Sequence, residues 1–337
     1  MRALVTGATG FLGGALAGRL ASLGWEVTAA GRNKREGALL IGQGVRRFIE
    51  LDLQDEAAVI RACQGQDYAF HCGALSSPWG KYADFYGSNV LGTRHIAAGC
   101  IAHRVKRLIH VSTPSIYFDF KDRFAIAEDA PLPAKPVNLY AATKLEAERE
   151  IDRARAEGLA AVTIRPRAIF GPGDRTILPR LLLANERGRL PLIGGGKAVL
   201  DLTYIDNAVD ALMLCAAAPD SVLGKVYNIS NGEPVQLIDA LRQLFGKLGQ
   251  PLRAKKIPYP AAYALAGMLE LAASVSGSGR EPLLTRYTVG VIAKSQTLDI
   301  SAAKRELGYE PKISVAAGLD AFAEWWRDTR LLKLPKG

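Results

Sequence analysis

The run TGATGFLGG, Thr6–Gly14, sets Gly7, Gly10 and Gly13 at intervals of three directly after the apolar residues Ala3–Val5. Together they read as a strand near Ala3–Gly7 that passes into a helix. Glycines at such a junction allow a tight turn and let the backbone approach a pyrophosphate, which then meets the N–H groups and positive dipole end of the helix. Further short β-branched runs lie near Glu26–Gly31, Phe48–Asp52, Tyr68–Ala74, Arg107–Thr113 and Ala161–Arg165, with helical periods between them. Strand and helix in alternation form βαβ units, which wind a parallel sheet covered by helices on both faces. The expected fold is α/β, a doubly wound parallel sheet over residues 1–170.

From about Phe170 the alternation stops. Gly/Pro loops (GPGD, IGGGK), helices at Asp206–Ala217 and Val235–Leu248, and one strand-like stretch, Lys225–Ile229, follow. Residues 171–337 are expected to form a smaller, mainly substrate-binding domain over the carboxyl ends of the strands, with a strand near 225–230 returning to the first domain. Pro260–Val275, PAAYALAGMLELAASV, is shorter than a membrane span and carries Glu270. A packing helix is expected there, with a lid over an apolar pocket or a membrane-surface contact as alternatives.

A chain of 337 residues, 49% hydrophobic and 23% charged, has the composition of a soluble, enzyme-sized protein. Its net charge of +10 admits nucleic acid, an anionic membrane surface, or an anionic cofactor and substrate. The basic residues are scattered, with short clusters only at Arg32–Arg35, Arg104–Arg107 and Lys255–Lys256, and no recognition motif accompanies them, so no nucleic-acid partner is expected. Cys63, Cys72, Cys100 and Cys215 form no CxxC pair and no signal peptide precedes the first strand, which suits a reduced, cytoplasmic protein. His71, His95, His103 and His110 lack metal-ligand spacing, and no metal site is expected.

Dinucleotide sites of this type carry an acidic residue at the end of the second strand, for the ribose 2′-hydroxyl of NAD. Here that position reads AAGRNKRE, with Gly31 and Arg32 in its place. A basic side chain suits the 2′-phosphate of NADP, so NADP(H) is expected in preference to NAD(H). Asp52 and Leu53 would border the adenine, and the HCGA turn, His71–Ala74, the ribose and phosphates.

Eight runs occur in order: TGATGFLGG, NVLGT (Asn89–Thr93), VSTPSIY (Val111–Tyr117), YAATK (Tyr140–Lys144), RPRAIFGPGD (Arg165–Asp174), TYIDNAVDA (Thr203–Ala211), YNISNG (Tyr227–Gly232) and AAKRELGYEP (Ala302–Pro311). With them the chain resembles the extended short-chain dehydrogenase/reductase family over nearly its whole length. The resemblance implies a Rossmann sheet, Tyr140 as acid/base, Lys144 as its helper, and a neighbouring hydroxyl from Thr113, with Ser112 as second choice. The chemistry agrees, since residues four apart share a helix face. A phenol of pKa about 10 would be lowered by an adjacent ammonium and a cationic nicotinamide. Hydride then passes between nicotinamide and carbonyl carbon while Tyr140 exchanges the proton. Cofactor contacts are expected from Gly7, Thr9, Gly10, Phe11, Leu12, Gly13, Arg32, Asp52, Leu53, Cys72, Gly73, Ala74, Asn89, Tyr140, Lys144, Pro166, Ala168 and Ile169. Substrate contacts are expected from Ser76, Trp79, Ser115, Arg167 and Arg175. A homodimer through the helices containing Asn89–Ala102 and Tyr140 also rests on the resemblance.

Thr113-Pro114-Ser115 offers no acidic pair for elimination, which disfavours a dehydratase. A nucleotide-sugar epimerase would hold its diphosphate with Arg175, Arg180 and Arg189. Against it stand the NADP preference, the aromatic run Trp79, Tyr82, Phe85 and Tyr86, and the segment GREPLLTRYTVGVIAKSQTLD (Gly279–Asp299), which resembles the 3β-hydroxysteroid dehydrogenase branch, a branch that also contains 2-alkyl-3-keto acid reductases. The expected activity is NADP(H)-dependent interconversion of a ketone and a secondary alcohol on an apolar substrate, a steroid-like or long-chain 2-alkyl-3-keto acid. An epimerase and a non-catalytic NADP sensor on the same fold are the alternatives.

Overall fold

The computed structural model describes residues 1–276 and 281–331. Gly279 and Arg280, which open the run just quoted, lie outside the described residues. Seven strands form the main sheet: β1 (Arg2–Thr6), β2 (Glu26–Gly31), β3 (Arg47–Glu50), β4 (Tyr68–His71), β5 (Arg107–Val111), β6 (Ala161–Pro166) and β7 (Val226–Ile229). Their order is β7-β6-β5-β4-β1-β2-β3, and every neighbouring pair is parallel. The order reverses between β1 and β4, so the crevice for ligands opens beyond the carboxyl ends of those two strands. Several predicted strands ran too far at this edge. β1 stops at Thr6, β3 at Glu50, β4 at His71 and β5 at Val111, because the next residues leave the sheet to form the loops that wall the crevice.

Strand pleating sends alternate side chains to opposite faces. Ala3 and Val5 pack in one cluster and Leu4 in the other. Helices cover these faces, among them α1 (Phe11–Ser22), α2 (Gly92–Ala102), α3 (Leu139–Ala156) and α4 (Ile205–Ala217). Leu16 and Leu20 of α1 join Val209 and Leu212 of α4 on the first face. Ile96 and Cys100 of α2 join Ile151 and Ala154 of α3 on the second. The burial of both faces explains why these strands read as near-continuous apolar runs.

The strand expected near 225–230 is β7, paired with β6. A third cluster, around Phe170, Leu182, Tyr204, Leu244 and Phe322, builds the second half of the molecule. There a four-stranded sheet joins Val235–Gln236, Val199–Leu200, Gln296–Leu298 and Arg123–Ile126. The helix expected from Val235 begins at Leu237, because Val235 and Gln236 pair antiparallel with Leu200 and Val199. α5 (Tyr259–Val275) and α6 (Arg286–Ala293) complete the region, with Ala262 and Ala266 of α5 packed beside Val289 of α6. Among the described residues no helix is long and apolar enough to cross a membrane.

Candidate active site

The glycine turn is built as its spacing implies. Gly7 has φ +65°, and a Cβ there would lie 2.6 Å from the Cα and N of Gly73. A Cβ on Gly13 would lie 2.4 Å from the Gly7 carbonyl oxygen. Glycine therefore lets β1, α1 and the loop after β4 converge. A cleft of about 250 Å³ opens there, walled by Gly7, Thr9, Gly10, Arg32, Asp52, Leu53, Cys72, Gly73 and Ala74, all expected cofactor residues. Thr6, Gly31, Leu75 and Ser88 also wall it and were not foreseen. The amides of the first turn of α1 have no partner within the helix, so the cradle fits a dinucleotide pyrophosphate. Arg32 is exposed on the cleft wall, and Lys34 beside it is paired with Glu50 at 2.8 Å.

Other expected cofactor residues are placed differently. Phe11 and Leu12 turn their side chains to the cluster of the second half. Asn89, in a π-helical turn, spends its amide on the backbone N and O of Leu75, at 2.7 and 3.1 Å, and on Thr143. It shapes the cleft by holding Leu75 and offers no free polar atom of its own. Pro166, Ala168 and Ile169 stand at the carboxyl end of β6 and wall neither this cleft nor the larger cavity described below.

Tyr140 and Lys144 lie in the first turns of α3, whose N-cap Asn138 accepts from the Ala141 amide at 2.8 Å. The Tyr140 phenol is hydrogen-bonded to Thr113, and burial pushes its pKa up to about 12. The expected lowering by Lys144 is not present in this arrangement. The ammonium donates instead to the Val111 carbonyl at 2.7 Å and sits 3.3 Å from His110 Nε2. Burial brings Lys144 down to about 8, against the attraction of Glu148, which is itself held by Arg165 at 2.6 Å. Left to the protein's own groups, Tyr140 is a protonated acid. Thr113 is the partnering hydroxyl, whereas the Ser112 oxygen is buried without a partner among the described residues. Both lie just past the end of β5, and Thr113, which caps the short helical turn Pro114–Tyr117, is the one turned to the tyrosine.

A second cavity, of about 530 Å³, is walled by Trp79, Phe85, Phe120, Leu139, Tyr263 and Tyr287, with Glu270 and Arg286 among its polar residues. Arg286 is paired with Glu270 at 2.6 Å. α5 thus walls this cavity with Tyr263, Glu270 and Ser274, while Leu265, Met268 and Leu271 on the same helix stay exposed. Ser115 donates or accepts at 2.8 Å with the Tyr287 hydroxyl. Arg167 is buried against Gln296. Arg175 walls neither cavity. Asp174 is fully buried and accepts from the amides of Thr176, Ile177 and Leu178, which turns Arg175 outward to Glu36 at 2.7 Å. Ser76 is exposed and walls neither cavity. Tyr287 and His110 were not among the expected site residues: Tyr287 lies in the run Gly279–Asp299, which carried a resemblance but no assigned role, and His110 looks like an ordinary strand residue. Among the described residues, no group of three or more His, Cys, Asp or Glu side chains is gathered as a metal site.

The chain matches the NAD dependent epimerase/dehydratase family over residues 3–230 and belongs to it. Within that family its similarity runs to the extended dehydrogenases and reductases. The 2-alkyl-3-oxoalkanoate reductase of Stenotrophomonas maltophilia is 37% identical over 95% of this chain and 97% of its own length. The 3beta-hydroxysteroid-dehydrogenase/decarboxylase isoform 1 of Arabidopsis thaliana is 32% identical over 90% of this chain and 73% of its own. The solved structure of UDP-glucuronic acid 4-epimerase from Bacillus cereus in complex with NAD shares the fold, with a TM-score of 0.78 at 22% identity, over 98% of this chain and 99% of that one. These findings bear out the expectation of an oxidoreductase on a nicotinamide-dinucleotide fold.

Proposed function

We propose that the protein is an NADPH-dependent reductase of the ketone in a largely apolar substrate, a long-chain 2-alkyl-3-keto acid before a steroid-like compound. The observation that carries this reading is the aromatic and aliphatic wall of the larger cavity, Trp79, Phe85, Phe120, Leu139 and Tyr263. Such a surface favours hydrocarbon over sugar. Gly7, Thr9 and Gly10 would cradle the pyrophosphate, Asp52 and Leu53 the adenine, and Arg32 the 2′-phosphate. The bound dinucleotide supplies the hydride. Tyr140 gives its proton to the ketone oxygen, and Thr113, beside the phenol, turns its hydroxyl from Ser115 to steady that oxygen as charge develops on it. Lys144, anchored on the Val111 carbonyl, keeps a positive charge beneath the phenol's helix turn.

In an epimerase Arg175, Arg180 and Arg189 could serve a diphosphate, and two of these are paired with carboxylates here, Arg175 with Glu36 and Arg180 with Glu281. A cofactor sensor would have no use for the Tyr140–Thr113 contact. A homodimer through α2 and α3 belongs to the same reading, and light scattering on the purified protein checks it. The decisive assay follows NADPH oxidation with a 2-alkyl-3-keto acid, a 3-ketosteroid and a 4-keto nucleotide sugar, each repeated with NADH. Turnover of an apolar ketone with NADPH preferred supports the reading. Reaction of the sugar nucleotide alone would replace it with the epimerase.

A further inference from the structure

Tyr287 stands in the first turn of α6, and its hydroxyl reaches into the catalytic hydroxyl cluster. It lies 2.8 Å from Ser115 Oγ, which accepts from Thr113 Oγ1 at 3.0 Å. Thr113 is in turn bonded to the Tyr140 phenol. Four hydroxyls therefore stand in a row, Tyr140, Thr113, Ser115 and Tyr287. At the far end Tyr287 also walls the apolar cavity and is close enough to act on the charge of Arg167. Arg167 is 6% exposed, leans on the neutral side chain of Gln296, and leaves its Nε without a partner among the described residues. Asp201 is close enough to act on that charge but shares no ion pair with it, and spends one carboxylate oxygen on the Leu298 amide at 2.6 Å. A buried guanidinium whose hydrogen bonds are incomplete is costly, and an anion nearby relieves that cost.

We propose that Tyr287, with Ser115 beside it and Arg167 behind it, is a second recognition point of the active site that receives the carboxylate of a 3-keto acid. The assignment rests on the reductase reading and deepens it. In such an acid one carbon separates the ketone carbon from the carboxylate. Its two oxygen groups can thus fall on neighbouring hydroxyls of the row, the ketone at Tyr140 and Thr113, the carboxylate at Ser115 and Tyr287. Tyr287 becomes the residue that tells an acid from an ester.

The test is steady-state oxidation with NADP⁺ of a 2-alkyl-3-hydroxy acid and of its methyl ester, compounds that do not decarboxylate, by the wild type and by Tyr287→Phe. Phenylalanine keeps the ring that stands edge-on to Phe118 at 6.0 Å, so the packing survives. Loss of a hydrogen bond to a charged group corresponds to roughly tenfold to a hundredfold. The acid-to-ester ratio of kcat/KM should fall by that factor, chiefly through KM of the acid, and Arg167→Gln should lower the same ratio. Equal losses on acid and ester, or an unchanged ratio, would overturn the carboxylate site. So would a wild type that makes no distinction between the two, although the reductase reading would survive that result. A wild type that oxidises neither compound also overturns the carboxylate site, and the 3-ketosteroid assay then decides whether the reductase reading stands.

Discussion

Replacing Lys144 by methionine isolates the electrostatics of the site. The side chain is 1% exposed, with its ammonium against the Val111 carbonyl and His110, and burial lowers its pKa from 10.5 to about 8. Below about pH 8 the folded and unfolded states both carry the proton, and the folded state bears the whole cost of desolvating it. Between about pH 8 and 10.5 the folded state has lost the proton while the unfolded state keeps it, so that cost fades and stability rises with pH. The methionine variant has no such dependence. The wild type should therefore gain about 2.5 kcal/mol on Lys144→Met between about pH 7 and pH 10, and almost nothing between about pH 6 and pH 7. Urea denaturation followed by tryptophan fluorescence, at matched pH for both proteins, reads the difference directly, and titrating groups that do not feel the Lys144 charge cancel. A difference that stays flat across the range would refute a desolvated ammonium at this position.

The same proton should appear in catalysis: kcat/KM for NADPH-dependent reduction is expected to decline as pH rises through about 8, and a profile level to pH 10 would separate Lys144 charge from turnover. Tyr140→Phe should keep dinucleotide binding, measured by fluorescence titration, and lower kcat by roughly 10²- to 10⁴-fold; near-normal turnover would remove it as the acid. Gly7→Ala forces a Cβ to within 2.6 Å of Gly73 at a positive φ, and should weaken dinucleotide binding at least about tenfold in calorimetry. Arg32→Glu should raise KM for NADPH by roughly tenfold to a hundredfold and spare NADH. An NADPH-to-NADH ratio left unchanged by that variant would withdraw the 2′-phosphate assignment.

Some of this was readable from local pattern alone. Strand-helix alternation and the glycine spacing placed the sheet and the cleft, since periodicity and backbone conformation are properties of neighbouring residues. Nine of the expected cofactor residues wall the cleft for that reason. The choice between Thr113 and Ser112 depended on which way β5 delivers its end to α3, and packing made it. Arg167, inside RPRAIFGPGD, and Arg175, directly after it, looked equivalent, yet the buried carboxylate of Asp174 turns one of them to the surface while the other stays inside. Asn89 sat in a familiar run, but whether its amide was free or spent depended on the loop after β4. Tyr287 meets Ser115 only because α6 folds back over the carboxyl edge of the sheet. Strands, turns and the tyrosine-lysine spacing are written into short segments of chain. Which polar atoms are free to act is set by partners distant along the chain, because hydrogen bonds are satisfied in space and leave no periodic trace in the sequence.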